Sequence, residues 1–218
     1  AGMAAALPLS YYFLSSNVTR FSALPMRDME VPRRQYEKPF ELIHTQDEKR
    51  IPSTVFLSDG TWNVLYFGFT HCAEVCPNSI RYIDEVFARL RQSEAETGSR
   101  TQSFPEVRCA FVSLDPCRDT SKKMEDFLDT FTSTENRSLF DGYIGSMEDI
   151  RRVAHAWKVY FAAPEKEEII DNSEYQIDHS CFIFLVSPTG HLIDFFTKDM
   201  PLEMSAEKIQ LHVDGLYE

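Results

Sequence analysis

Two cysteines four residues apart, Cys72 and Cys76, stand where the apolar run Val64–Thr70 empties into a loop followed by Pro77. Proline suits the first position of a helix, where its missing N–H costs nothing. Side chains at i and i+4 share a helix face with Cβ atoms about 5–6 Å apart, whereas a disulfide wants them about 3.5–4.5 Å apart. Two thiolates on one ion, each at about 2.3 Å if zinc is the guide, span the wider gap. The spacing favours a metal and leaves a disulfide open, because Cys72 falls in the loop and can move. A cysteine near a helix N-terminus also has its thiolate favoured by the positive end of the macrodipole. The pair is primed for soft-metal ligation or for thiol exchange.

Two thiolates are an incomplete metal site. The best third donor is His179, in Ile177-Asp178-His179-Ser180, directly before the apolar segment Phe182–Ser187. It follows a polar excursion, Glu165–Gln176, which reads as a loop able to carry the ligand over the pair. Asp178 or Asp115 could accept the second ring N–H and fix the tautomer. Two thiolates and an imidazole suit Cu(I), while a closed structural zinc site wants four ligands. From spacing alone, an ordinary histidine near the core is favoured over a ligand at His179. His71 abuts the pair, but adjacent loop residues seldom converge on one ion, so it reads as a neighbour behind the ligands. The chain has five cysteines, an odd number at irregular spacing, which is not a disulfide framework. Cys109, inside an apolar segment, reads as a core residue. Cys181 lies two residues beyond His179 and shares its face if the strand already runs there; core packing is favoured over a fourth ligand.

The elements that must position these residues follow from periodicity. Phe40–His44 and Ile51–Leu57 read as early strand segments before an Asp59-Gly60 turn, and Trp62–Phe69 as the central strand. Pro77–Glu96 is amphipathic, with Ile80, Ile83, Val86, Phe87 and Leu90 on one stripe and Gly98 as its stop. Val107–Leu114 is near-continuously apolar, as in a strand buried on both faces. A second helix runs over Asp119–Phe131, capped by Asp119 or Thr120, and a third is capped by Ser146. Phe182–Ser187 and His191–Phe196 form a hairpin about Pro188-Thr189-Gly190, and Ser205–Val213 closes the chain as a helix. Alternating strands and helices predict an α/β fold with a central mixed sheet flanked by helices.

The chain of 218 residues is long enough for one domain with a sizeable core plus an appendage. Its formal net charge of −12 argues against nucleic-acid binding, which needs clustered Lys and Arg. Residues 1–16 are apolar but interrupted by Pro8, and are too few for the ~20 a bilayer span needs. They read as the trimmed end of a membrane anchor or as an apolar tail on a partner. Residues 17–39, with Pro25, Pro32 and Pro39, read as an extended linker that lies against another protein or a membrane. The expected division is an N-terminal extension over 1–39 and a folded domain over 40–218.

Three blocks give a sharper signal: Tyr66-Phe67-Gly68-Phe69-Thr70-His71-Cys72-x-x-x-Cys76-Pro77, then Val112-Ser113-Leu114-Asp115-Pro116-x-Arg118-Asp119-Thr120, then Asp178-His179-Ser180. In type, spacing and order they resemble the Sco/SenC family of thioredoxin-fold copper chaperones of cytochrome c oxidase assembly. The resemblance implies a thioredoxin-like fold and one copper ion, Cu(I) or Cu(II), on Cys72, Cys76 and His179. It places Asp115 and Asp178 beside the ligands. It also implies a tether to the mitochondrial inner membrane facing the intermembrane space, or to a bacterial plasma membrane facing the periplasm. The partners it implies are oxidase subunit II, whose dinuclear copper site is matured, and other copper chaperones. Cys117 stands where the family commonly has a charged residue and reads as an inert surface position. Two other functions compete: a thiol–disulfide oxidoreductase without an obligate metal, and a fixed subunit of a larger mitochondrial respiratory assembly. The three-residue spacer between the cysteines departs from the two-residue spacer of thioredoxin-type enzymes. A peroxidase is disfavoured because no supporting block surrounds Cys72.

Overall fold

A computed structural model describes residues 38–97, 107–162 and 174–215. Residues 1–37 of the expected extension over 1–39, the Gly98 helix stop and positions 165–173 of the polar excursion lie outside the described residues.

Among the described residues, seven strands form one mixed sheet in the order β2-β1-β5-β4-β3-β6-β7. In chain order they are β1 (Glu41–His44), β2 (Arg50–Pro52), β3 (Trp62–Gly68), β4 (Val107–Ser113), β5 (Phe140–Ile144), β6 (Ile183–Val186) and β7 (Leu192–Phe196). The helices are α1 (Val75–Thr97), α2 (Ser121–Phe131), α3 (Met147–Ala156) and α4 (Leu202–Val213). Strands β3, β4 and β5 run parallel, and the edges are antiparallel. None of the described helices is long and apolar enough to cross a membrane.

Alternation along the strands sends side chains to two separate cores. Val64 and Tyr66 of β3, Cys109 and Phe111 of β4, and Ile183 and Leu185 of β6 face α1, α2 and α4. Leu65 and Phe67, Ala110 and Val112, and Phe184 and Val186 face the other way, where Ile150, Val153 and Ala154 of α3, with Trp157, cover them. The central strands are therefore buried on both faces, which is why they read as continuous apolar runs.

The sequence expectations hold with local corrections. Helix α1 begins at Val75, so Pro77 is its third residue rather than its first. The N–H groups of the first turn have no intrahelical partner, so proline is tolerated there too. Strand β2 is only three residues, and the chain turns away over Ser53–Leu57 instead of extending. Strand β5, Phe-Asp-Gly-Tyr-Ile, has no counterpart in the sequence reading, because Asp141 and Gly142 interrupt its apolar pattern. Asp141 is there to bind Arg108 and His44 across the sheet, and a Cβ at Gly142 would collide with Met124 and Thr45.

Candidate metal centre

The parallel pairing of β3 and β4 ends with Gly68 opposite Ser113, and both chains leave the sheet at the same end. Leu114 N–H returns to the Gly68 carbonyl at 2.7 Å, holding the two exits together. Between them sits Asp119, almost fully buried. Its carboxylate accepts from the Thr70 N–H at 3.1 Å, the Thr70 hydroxyl at 2.6 Å and the Ser113 hydroxyl at 2.6 Å. The residue that caps α2 is Thr120, which leaves Asp119 free to fix the loop that delivers the first cysteine.

Cys72 is in that loop, not on a helix face with Cys76. Its half-buried sulfur accepts the backbone N–H of Cys76 at 3.4 Å, so it satisfies one of the orphan donors at the start of α1. Cys76 is fully buried, and Gly68 makes the room: a Cβ at Gly68 would lie 2.8 Å from the Cys76 sulfur. Both thiols are free. The Cys76 thiol and the N–H groups of Cys76, Glu74 and Val75 draw the Cys72 pKa down to about 5, against the opposing effect of burial. Cys76 moves the other way, pushed up by the neighbouring Cys72 sulfur and by burial. The two shifts favour the charge on Cys72, at the helix N-terminus, over Cys76, sealed beside it.

His179 completes the arrangement from the other side of the chain. Its backbone forms an antiparallel bridge to Phe161, with the Ala162 N–H on the Asp178 carbonyl at 2.8 Å and the Ser180 N–H on the Tyr160 carbonyl at 3.0 Å. The ring stands edge-on to Phe69 and Tyr66, with centroids at 5.8 and 6.5 Å. Nδ1 is 3.0 Å from the Ser180 carbonyl, which can only accept, so Nδ1 carries the proton. Nε2 is left as the acceptor, 3.5 Å from the Cys76 sulfur. Neither expected aspartate plays this part. Asp178 is exposed, and Asp115 is buried against other partners: Arg118 Nε at 2.5 Å and the Tyr175 hydroxyl at 2.5 Å. The carbonyl of the next residue holds the tautomer instead.

The ring nitrogens of His71 meet other groups, Nδ1 3.4 Å from Asp119 Oδ1 and 3.2 Å from the Thr70 hydroxyl, and Nε2 3.4 Å from Lys123 Nζ. Among the described residues, His71, Asp115 and Asp119 are the only three such side chains whose donor atoms all fall within 4.8 Å of one another. Their oxygens are already spent on Thr70, Ser113, Arg118 and Tyr175. Cys72, Cys76 and His179 form a looser set joined through Cys76, and Cys72 is the member on a loop. Two sulfurs and an imidazole nitrogen are donors for a soft ion. Cys109 is fully buried and Cys117 is exposed. Sequence reasoning missed Asp119 as a loop clamp and Tyr175 as a partner of Asp115. A carboxylate between an Arg and a Thr at a helix start carries no signal of either role.

A sheet with helices on both faces and a cysteine pair where a central strand meets its helix defines a thioredoxin-like domain. The chain belongs to the SCO1/SenC family, whose model matches residues 29–214. It is 35% identical over 154 residues to the mitochondrial protein SCO2 homolog of Bos taurus, covering 71% of this chain and 52% of that one. It is 29% identical over 175 residues to the mitochondrial protein SCO1 homolog of Homo sapiens, covering 80% of this chain and 52% of that one. The chain thus spans about half the length of these relatives. Among solved structures it resembles the copper-bound ScoI of Arabidopsis thaliana, with a TM-score of 0.66 and 28% identity over 82% of this chain and 98% of that one. The copper-bound ScoI of Bradyrhizobium japonicum superposes with a TM-score of 0.60 and 27% identity over 79% of this chain and 96% of that one.

Proposed function

We propose that this chain is a copper chaperone of cytochrome c oxidase assembly that holds one copper ion on Cys72, Cys76 and His179. The observation that carries the reading is the His179 ring, whose free nitrogen lies 3.5 Å from the Cys76 sulfur with its other nitrogen committed to a carbonyl. Copper is the metal named for the two ScoI structures that this chain resembles. The mitochondrial names of the curated relatives support a mitochondrial location. The finer reading is a domain over 40–218 held at the inner membrane through the extension over 1–39, facing the intermembrane space. There it matures the copper site of subunit II with other copper chaperones. Asp115 supports the site by fixing Tyr175, on the segment that leads to His179. The test is anaerobic titration of the reduced full chain with Cu(I). The chain should take up one ion, and Cys72→Ser and His179→Ala should lose it. Full uptake by both variants refutes the assignment.

A second reading rests on the split between the two thiols. A thiolate at the helix N-terminus with a sealed thiol beside it can attack a partner disulfide and then resolve the mixed disulfide. The chain would close Cys72–Cys76, and two electrons would pass to the partner's sulfurs, with one proton coming from Cys76 and the other from solvent. Reductase activity toward insulin that survives His179→Ala would favour this metal-independent chemistry.

A further inference from the structure

Tyr66 lies on β3, fully buried, two residues before Gly68 and on the same face of the strand. The point that a Cβ at Gly68 would take is 2.8 Å from the Cys76 sulfur and 3.0 Å from Tyr66 Cε1, the ring carbon next to the one that carries the hydroxyl. The phenol end of Tyr66 and the Cys76 sulfur therefore border the same gap. The Tyr66 ring also stands edge-on to that of His179, with centroids at 6.5 Å. One side chain thus borders two of the three candidate ligands.

The hydroxyl of Tyr66 has no hydrogen-bond partner among the described residues. The polar groups that face it are the Cys76 thiol and the Ser79 hydroxyl. Burying an unpartnered hydroxyl is costly, and a phenylalanine would fill the same space without that cost. The hydroxyl therefore calls for an acceptor that another state of the site supplies. Ser79 is the same in every state: its one proton goes to the Val75 carbonyl at 2.9 Å, and its oxygen stays neutral. The Cys76 sulfur does change. As a thiol it is a weak acceptor, but as a metal ligand it is a thiolate, and an O–H bond to an anion is a strong one.

We infer that Tyr66 is a positioning residue of the copper site, whose hydroxyl donates to the Cys76 sulfur when that sulfur holds the metal and lacks this bond in the metal-free protein. The inference rests on the copper reading above and leaves its ligand set, Cys72, Cys76 and His179, as it stands. No proton leaves the tyrosine. The Cys76 thiol releases its own proton to solvent as the metal–sulfur bond forms, and the O–H of Tyr66 turns onto the charge left behind. The loaded state gains a hydrogen bond that the empty one does not have, so the hydroxyl acts on affinity rather than on folding.

Tyr66→Phe in the reduced full-length chain tests this, by Cu(I) titration with chelator competition beside thermal unfolding of the metal-free form. The variant should still take up one Cu(I), but more weakly by about tenfold, the lower end of what removing an outer partner of a metal site costs. Its metal-free form should unfold at the wild-type temperature or above, because it has lost only an unpaired hydroxyl. In the Cu(II)-loaded form the sulfur-to-copper charge-transfer absorption should move to longer wavelength, since the thiolate has lost a donor that stabilises its lone pairs. Wild-type affinity in Tyr66→Phe overturns the inference, and so does a loss of affinity matched by a fall in metal-free stability, which is what a ring that merely packs would give. In either case the copper reading stands as long as Cys72→Ser abolishes uptake. If Cys72→Ser binds Cu(I) like wild type, the copper reading itself fails.

Discussion

The Tyr175 hydroxyl donates to the buried carboxylate of Asp115 at 2.5 Å, and so ties the segment ending in His179 to the loop that follows β4. Arg118 closes the same knot, with Nε 2.5 Å from Asp115 and its guanidinium carbon 3.5 Å above the Tyr175 ring. Burial and the adjacent Asp115 push the Tyr175 hydroxyl well above its ordinary pKa, so it stays a donor. Tyr175→Phe keeps the ring under Arg118 and removes only this bond. It should cost about 1–3 kcal/mol of stability, and should weaken Cu(I) binding by loosening His179. Thermal unfolding and chelator competition check both effects.

Gly68→Ala probes the space around Cys76. The new methyl would meet the sulfur at 2.8 Å and the Phe111 and Tyr66 rings at 3.0 Å. Overpacking of this kind costs about 1–3 kcal/mol. Because the nearest atom is the Cys76 sulfur, metal uptake should fall further than the stability loss accounts for. Calorimetry beside copper titration separates the two.

Asp119 and Thr120 are neighbours with different tasks. Thr120→Ala removes the helix cap on the Lys123 N–H, and should cost about 1 kcal/mol without changing copper affinity. Asp119→Asn replaces an acceptor oxygen by a donor among the Thr70 and Ser113 groups. It should free the Cys72 loop and speed copper loss to a chelator, read as an off-rate. Equal off-rates in the two variants would show that Asp119 does not hold the loop.

The pair His44–Asp141 predicts a pH window. His44 lies 3.2 Å from Asp141, and that contact raises its pKa against the effect of burial. Burial pushes Asp141 up, but His44 and Arg108 outweigh it and hold it below the ordinary carboxylate value. A raised histidine stabilises below its unfolded pKa, and loses this as pH rises through the folded value. A depressed carboxylate stabilises above its unfolded pKa, and loses this as pH falls. The pair should therefore contribute most between about pH 4 and 6.5, the two unfolded values. Asp141→Asn should flatten the denaturation-midpoint profile on both sides of that window. At neutral pH it should cost toward the lower end of about 3–5 kcal/mol, since the partly buried ion pair with Arg108 is broken as well.

The sequence made the central elements legible because Val64–Thr70 and Val107–Leu114 are buried on both faces and so apolar at nearly every position. The cysteine pair was legible for a similar reason, since a strand running into Cys-x-x-x-Cys-Pro leaves little choice of location. The ligand candidacy of His179 came from its place before an apolar strand, and the structure sets its ring against Cys76. What periodicity could not show is which side-chain oxygen meets which donor. Asp178 looked like the natural partner of His179, yet an extended backbone turns consecutive side chains to opposite faces and leaves Asp178 in solvent. Strand β5 escaped because its Asp and Gly answer to neighbours on other strands, and no local pattern records them.

The unequal depth of the two sulfurs sets an order of events. Cys76 is walled in by Gly68, Phe69 and the His179 ring, while Cys72 stands half open at the surface. Of the two sulfurs, the one open to a thiol or ligand brought by another molecule is that of Cys72. An exchange of sulfur partners at this domain therefore begins at the shallower atom and leaves the deeper one to complete it.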